Sequence, residues 1–270
     1  MVQTPLPLIE KNSIIQLQEV LPRVLAGEVT QAQMMSVCAL YRRTGIARMF
    51  LSGLPDGFFE ELSRSARALL FFLQSKDDLA KTTSRSEPFF DAIVCGDSEA
   101  ERAIARSSRT TWNPGEEYED DFLYARLLME RFTLEIPPPQ LEAKLDRYAA
   151  FLGNGEDPRL DLCRALVATD AELFEESLGR LLDARTRELR KKIEAERLPP
   201  DDVTTTAHLS VEVLALLRLA ERAGLTPREH YPLAPSVARR IHRARLPPRD
   251  SWRQWLTGAA GMLNTPRRTP

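Results

Sequence analysis

The chain has 270 residues, a formal net charge of −2 and 43% hydrophobic side chains. That is enough for one large domain or two small ones with a sizeable core. The near-neutral balance argues against a general nucleic-acid binder and against a polybasic membrane-surface protein.

The charge is unevenly spread. Between Pro88 and Pro158 fifteen acidic residues meet seven basic ones, whereas from Arg222 to the end ten arginines meet only Glu229 and Asp250. An acidic middle and a basic end either neutralise each other in the fold or form two separate surfaces. Cys38, Cys95 and Cys163 lie far apart in apolar runs, which reads as buried reduced thiols in a cytoplasmic protein, not as a disulfide framework or metal site. The opening Met-Val-Gln-Thr-Pro-Leu-Pro lacks the basic and apolar pattern of a signal peptide. No apolar stretch approaches the roughly 20 residues of a membrane span, so no membrane partner is expected.

In chain order, residues 1–29 read as an N-terminal amphipathic arm with Ile14, Leu17, Val20 and Leu21 at near-helical spacing. Thr30 to Leu51 is apolar almost all round, the mark of a central helix, with Gly45 expected to weaken or break it. Leu54-Pro-Asp-Gly57 is a turn, and Phe58 to Gln74 a helix with Phe58, Leu62, Ala66, Leu69 and Leu73 on one face. Lys76 to Glu87 reads as a polar linker. Pro88 opens a helix that Gly96 ends, and Asp97 caps the next, making a helical hairpin.

The pattern of Ala92–Ile104 returns at Ala165–Ser177, with Asp170 in the place of Asp97. Two copies suggest stacked hairpins, solenoid-like, though coincidence competes. Thr133 to Pro139 reads as a loop or extended segment, Leu141 to Leu152 as a helix, and Glu175 to Leu198 as a long charged helix. After Leu198-Pro-Pro-Asp-Asp202, an apolar helix runs from Ala207 to Ala223, with His208 at its start. The fold class is all-α: a single helical domain of packed hairpins over 30–246, followed by a Trp- and Arg-containing tail, 247–270.

The stretch Trp112–Arg126 stands out. Asn113-Pro114-Gly115 is a turn, and the first helical turns after it carry Glu116, Glu117, Glu119, Asp120 and Asp121. Tyr118, Phe122, Ala125, Met129 and Phe132 form the apolar stripe, so Tyr118 is expected in the core and Tyr124, off that stripe, at the surface. This is either a well-started surface helix or an acidic docking ledge with Trp112 and Tyr124 at its rim. The pairs Glu116/Asp120 and Glu117/Asp120 would share a helical face and could hold Mg²⁺ for an all-α hydrolase if a second acidic pair, such as Glu175-Glu176 or Asp97/Glu99, lay opposite. No metal-binding histidine pair, phosphate-cradling glycine loop or nucleophile motif is present in the sequence. No catalytic residue, cofactor or metal is therefore assigned.

Ser63-Arg-Ser-Ala-Arg67, Phe89-Phe-Asp-Ala-Ile93 with Gly96-Asp97, Trp112, and Glu117-Tyr-Glu-Asp-Asp-Phe-Leu-Tyr-Ala125 follow in an order that resembles the immunity protein 49 family. Leu209 to Gly224 followed by Pro232-Leu233 looks like that family's last helix and loop. The resemblance spans about Ser36 to Pro235. It implies an α-helical antitoxin of a polymorphic toxin system, used in bacterial competition, whose partner is a cognate toxin domain that it binds and blocks in the producing cell. A nuclease with a basic cleft would suit an acidic surface at Glu116, Glu117, Glu119, Asp120 and Asp121, with no nucleic acid bound directly. A hydrolase acting on the toxin's modification and a helical-repeat adaptor are the alternatives.

Overall fold

The α2–α3 hairpin is the centre of the fold. In this computed structural model, which describes residues 4–239 and 245–258 with side chains to 255, α1 (Leu6–Leu25), α2 (Gln31–Ser52) and α3 (Asp56–Ser75) pack consecutively. Thr30 and Gln33 form a reciprocal capping box that starts α2, and Gly53 in the left-handed region stops it. Gly45 does not break the helix. It lets α3 approach so closely that an added Cβ would lie 3.0 Å from Glu61 Cβ and 3.1 Å from the Phe58 carbonyl.

The expected hairpin forms as α4 (Glu87–Cys95) and α5 (Ser98–Ser107), with Gly96 left-handed and Asp97 accepting from the Ala100 N–H at 3.0 Å. α6 (Glu119–Phe132) pairs with α7 (Pro138–Leu152). α7 opens at Pro138, inside the segment expected to be loop, because proline is tolerated in a first helical turn. The second copy of the pattern forms α8 (Pro158–Ala168) and α9 (Ala171–Glu194), capped by Asp170. The two hairpins therefore share local geometry. Thr169 takes the left-handed position that Gly96 holds in the first copy, at φ 58° against 75°.

α10 (Pro200–Thr204) and a 3-10 turn lead to α11 (Val211–Arg222), which returns to pack on α4. That return closes the stack, so the hairpins build a globule and not an open solenoid. His208 lies in the 3-10 turn, exposed, and Ser210 caps α11 in its place. Pro200–Arg222 as a whole is long and apolar enough to cross a membrane. It is broken into three pieces, however, and α11 is buried in the core. The described residues contain no β-strand beyond an isolated bridge between Tyr231 and Ala234.

The first and last described helices lie on the same core. α1 buries Ile9, Leu17, Leu21 and Val24, and the 3-10 helix Ser251–Gly258 contacts α1 and α3. Trp252 is 2% exposed, stacks on Phe71 at 5.1 Å and accepts the Tyr41 hydroxyl at its carbonyl. Residues 259–270 of the expected tail lie outside the described residues. The three cysteines are free and buried.

Candidate functional site

The residues of the acidic stretch lie in a turn and in the first turn of the helix that follows it. The helix starts later than its pattern suggests: Glu116 and Glu117 lie in the turn before α6, and only Glu119, Asp120 and Asp121 occupy its first turn. Glu117 points inward. Its carboxylate accepts the Ser84 N–H at 2.8 Å and the Asn113 N–H at 3.3 Å, and the Trp112 indole donates to the Glu117 carbonyl at 3.0 Å. Trp112 and Glu117 thus pin the turn to the segment before α4.

That segment is not a free polar linker. The Gln31 side chain donates to the Thr82 and Arg85 carbonyls and accepts the Thr82 N–H, while Lys81, Thr82, Thr83 and Ser86 are buried. The Gln31 amide thus satisfies three backbone groups of a loop that has no helix or strand partner for them.

Three of the five carboxylates are held by the chain's own arginines. Glu119 pairs with Arg147 at 2.5 Å, and Arg159 holds Asp121 at 2.5 Å, Asp120 at 3.1 Å and Asp157 at 2.8 Å. The expectation of an open acidic ledge is corrected accordingly: it is braced from behind, and Glu116 alone of the five is exposed. The expected carboxylate pairs for Mg²⁺ fail for the same reason, since Glu117 is turned to backbone amides and Asp120 to Arg159. Among the described residues no three His, Cys, Asp or Glu groups converge as metal ligands.

The aromatic assignments are reversed as well. Tyr118 is 76% exposed, because as the residue before α6 it lies off the helical stripe. Tyr124 is 4% exposed, beside Phe90 and under the Arg159 guanidinium at 5.2 Å. Burial holds its hydroxyl well above the usual tyrosine range. That hydroxyl has no hydrogen bond of ordinary geometry and faces Glu212.

Around these residues runs a continuous groove. Its deep end is a cleft of about 190 Å³ walled by Ser86, Phe90, Tyr124, Arg159, Arg185 and Glu212. Its outer end lies between Arg85, Glu116 and Tyr118, and Ser84, Glu87 and Asp121 line both parts. On the far side of Arg85 and Glu116 a second depression is bordered by Leu79, 82% exposed. Two large, exposed apolar side chains therefore flank a groove of charged groups.

Sequence reasoning missed Arg159, Arg185, Glu212, Glu87 and Leu79. Arg159 carries a signal in retrospect: a cation in the first turn of a helix opposes the macrodipole and needs a carboxylate partner. Leu79 is a lone leucine in a polar stretch.

The other stretches that carry the family resemblance are structural. Ser65 and Arg42 hold Asp91, while Ser63 and Arg67 hold Asp97, so α2 and α3 grip the middle of α4 and α3 also grips the corner between α4 and α5. Asp91 on α4 and Asp97 at the start of α5 are both buried, so each needs the serine and arginine partners that these stretches supply. Among the described residues the basic end meets the acidic middle at Arg222 on Glu101, 2.8 Å, and at Arg249 on Glu99, 2.6 Å.

No curated protein and no solved structure matches the chain. The family model described as Immunity protein 49 matches residues 27–238. With most of its length covered and with the motif residues forming one interlocked core, the chain belongs to the Immunity protein 49 family.

Proposed function

We propose that this protein neutralises a toxin domain by binding it, with no chemistry of its own. The docking face is the groove flanked by Leu79 and Tyr118. One observation supports that face above others: a tyrosine and a leucine, each more than three-quarters exposed, stand beside a groove whose floor is rigidly hydrogen-bonded. Exposed tyrosine on a fixed scaffold contributes large contact area at low entropic cost. Of the sequence-derived residues, Glu116 and Asp121 remain at this face, and Tyr118 joins them. Trp112, Glu117, Glu119 and Asp120 support it from behind, and Tyr124 forms the cleft wall.

The phosphate-mimicking surface suited to a nuclease loses its main argument, because Arg159 and Arg147 occupy three of its five carboxylates. The toxin's chemistry is therefore left open in this proposal. The site of action is the cytoplasm of the producing cell. The test is co-expression with the toxin domain encoded beside this chain. Restored growth with co-purification of the two proteins is the expected result. Growth arrest despite soluble expression of both would sink the proposal.

A further inference from the structure

The groove has an excess of negative charge at its deep end. Arg159 and Arg185 are its cations, and Arg159 is outnumbered. Asp120, Asp121 and Asp157 surround Arg159, while Glu212 at 2.8 Å and Glu188 at 3.7 Å surround Arg185. Glu87 adds a carboxylate at the mouth: burial raises its pKa against the opposing charge of Arg42, and among the described residues it makes no salt bridge. Lys192 holds Glu188 at 2.7 Å, so the cleft wall itself sets two guanidiniums against three carboxylates, Asp121, Glu212 and Glu87.

A second, independent observation comes from Tyr124. It is buried, it lines the cleft, and its hydroxyl lacks a hydrogen bond of ordinary geometry. Glu212 is the acceptor it faces, and a ligand that engages Glu212 can complete the pairing of this buried hydroxyl.

The shape of the charge decides the ligand class. The carboxylates are spread around two arginines, and among the described residues no three converge to chelate a metal. A cation that hydrogen-bonds in several directions fits better than a spherical ion. The wall also carries Phe90 and the Tyr124 ring, against which an aliphatic stem can lie. The cleft volume of about 190 Å³ accommodates one long side chain and not a folded segment.

We infer that the partner anchors itself by inserting a lysine or arginine side chain into the cleft between Glu87, Asp121, Glu212 and Tyr124. This rests on the binding function proposed above and specifies what the toxin presents at the centre of the contact. Leu79 and Tyr118 then cover the outer approach. Exclusion of water there strengthens the ion pairs within.

Two arms test it. In the first, acetyl-arginine amide and acetyl-lysine amide are titrated into the full chain and backbone amide NMR shifts are followed. Saturable shifts at Ser84, Ser86 and Tyr124, at least threefold weaker in Glu87→Gln and lost in Glu87→Lys, are expected. Absence of any saturable shift overturns the anchor. In the second, the neighbouring toxin domain is titrated against wild type, Glu87→Gln and Glu87→Lys, with thermal melts confirming folding. Binding that weakens at least tenfold in Glu87→Lys supports the anchor. Equal binding by all three overturns it while leaving toxin binding intact. Failure of the wild type itself to bind the toxin overturns both readings, whatever the amides do.

Discussion

The Arg42 guanidinium grips the Asp91 carboxylate through two parallel bonds, Nε to Oδ1 at 2.9 Å and Nη2 to Oδ2 at 2.8 Å, with Asp91 fully buried. Ser65 donates to the same Oδ2 at 2.6 Å. α2, α3 and α4 are thereby joined at one buried charge. Arg42→Ala is expected to destabilise the fold by about 3–5 kcal/mol, because it strands that charge. Ser65→Ala should cost about 1.5–3 kcal/mol, the range for a hydrogen bond to a charged group. Urea denaturation of the two variants checks the order; a Ser65 variant weaker than the Arg42 variant would contradict it.

Thr169 ends α8 at φ 58°, ψ 42°, a conformation that β-branched residues disfavour. Gly96 occupies the equivalent position after α4. Thr169→Gly should therefore raise stability by about 0.5–1 kcal/mol, the relief of the left-handed strain less the added entropy of the unfolded chain. Thermal melts decide it, and a lowered melting temperature would contradict the strain.

Asp157 carries an acid-dependent part of the stability. Burial raises its pKa, but hydrogen bonds from Arg159 and Tyr148 and the Arg159 charge outweigh this and hold it below the ordinary carboxylate range. The unfolded chain takes up the proton first as pH falls. The contribution is thus full above the ordinary carboxylate value and is lost as pH drops through the lower folded value. Asp157→Asn should melt well below wild type at pH 6, and the gap should close below about pH 3.8. A gap independent of pH would refute the assignment.

The thiols are sealed. Burial, aided by the Asp91 charge, pushes Cys38 up to about 12, and burial raises Cys95 and Cys163 further. Thiolate is the reactive form. An aromatic disulfide reagent at pH 8 should label none of the three in the native protein and all three in denaturant. Rapid labelling of the native form would show that the core opens.

The helices and hairpins were legible because their stop and start signals are local: Gly96 with Asp97, Asp170, and Pro88 each act within a few residues. Gly45 was misread because its role depends on α3, which no local pattern reveals. The site was half legible. The stretch from Trp112 to Tyr124 was identified, but its side chains were assigned by helical phase from Glu116. The helix begins at Glu119, so Tyr118 and Tyr124 exchanged their expected places. Arg159, Arg185 and Glu212 come from α8, α9 and α11 and meet the acidic turn only through long-range packing.

The most direct test of toxin binding at this face is calorimetric titration of the neighbouring toxin domain with wild type and with the Leu79→Ala, Tyr118→Ala double variant. Both side chains are exposed, so the variant should fold as wild type does. Binding by wild type and at least tenfold weaker binding by the variant is the result expected of paired hot-spot residues. Unchanged affinity in the variant, or no binding by wild type, would contradict the account.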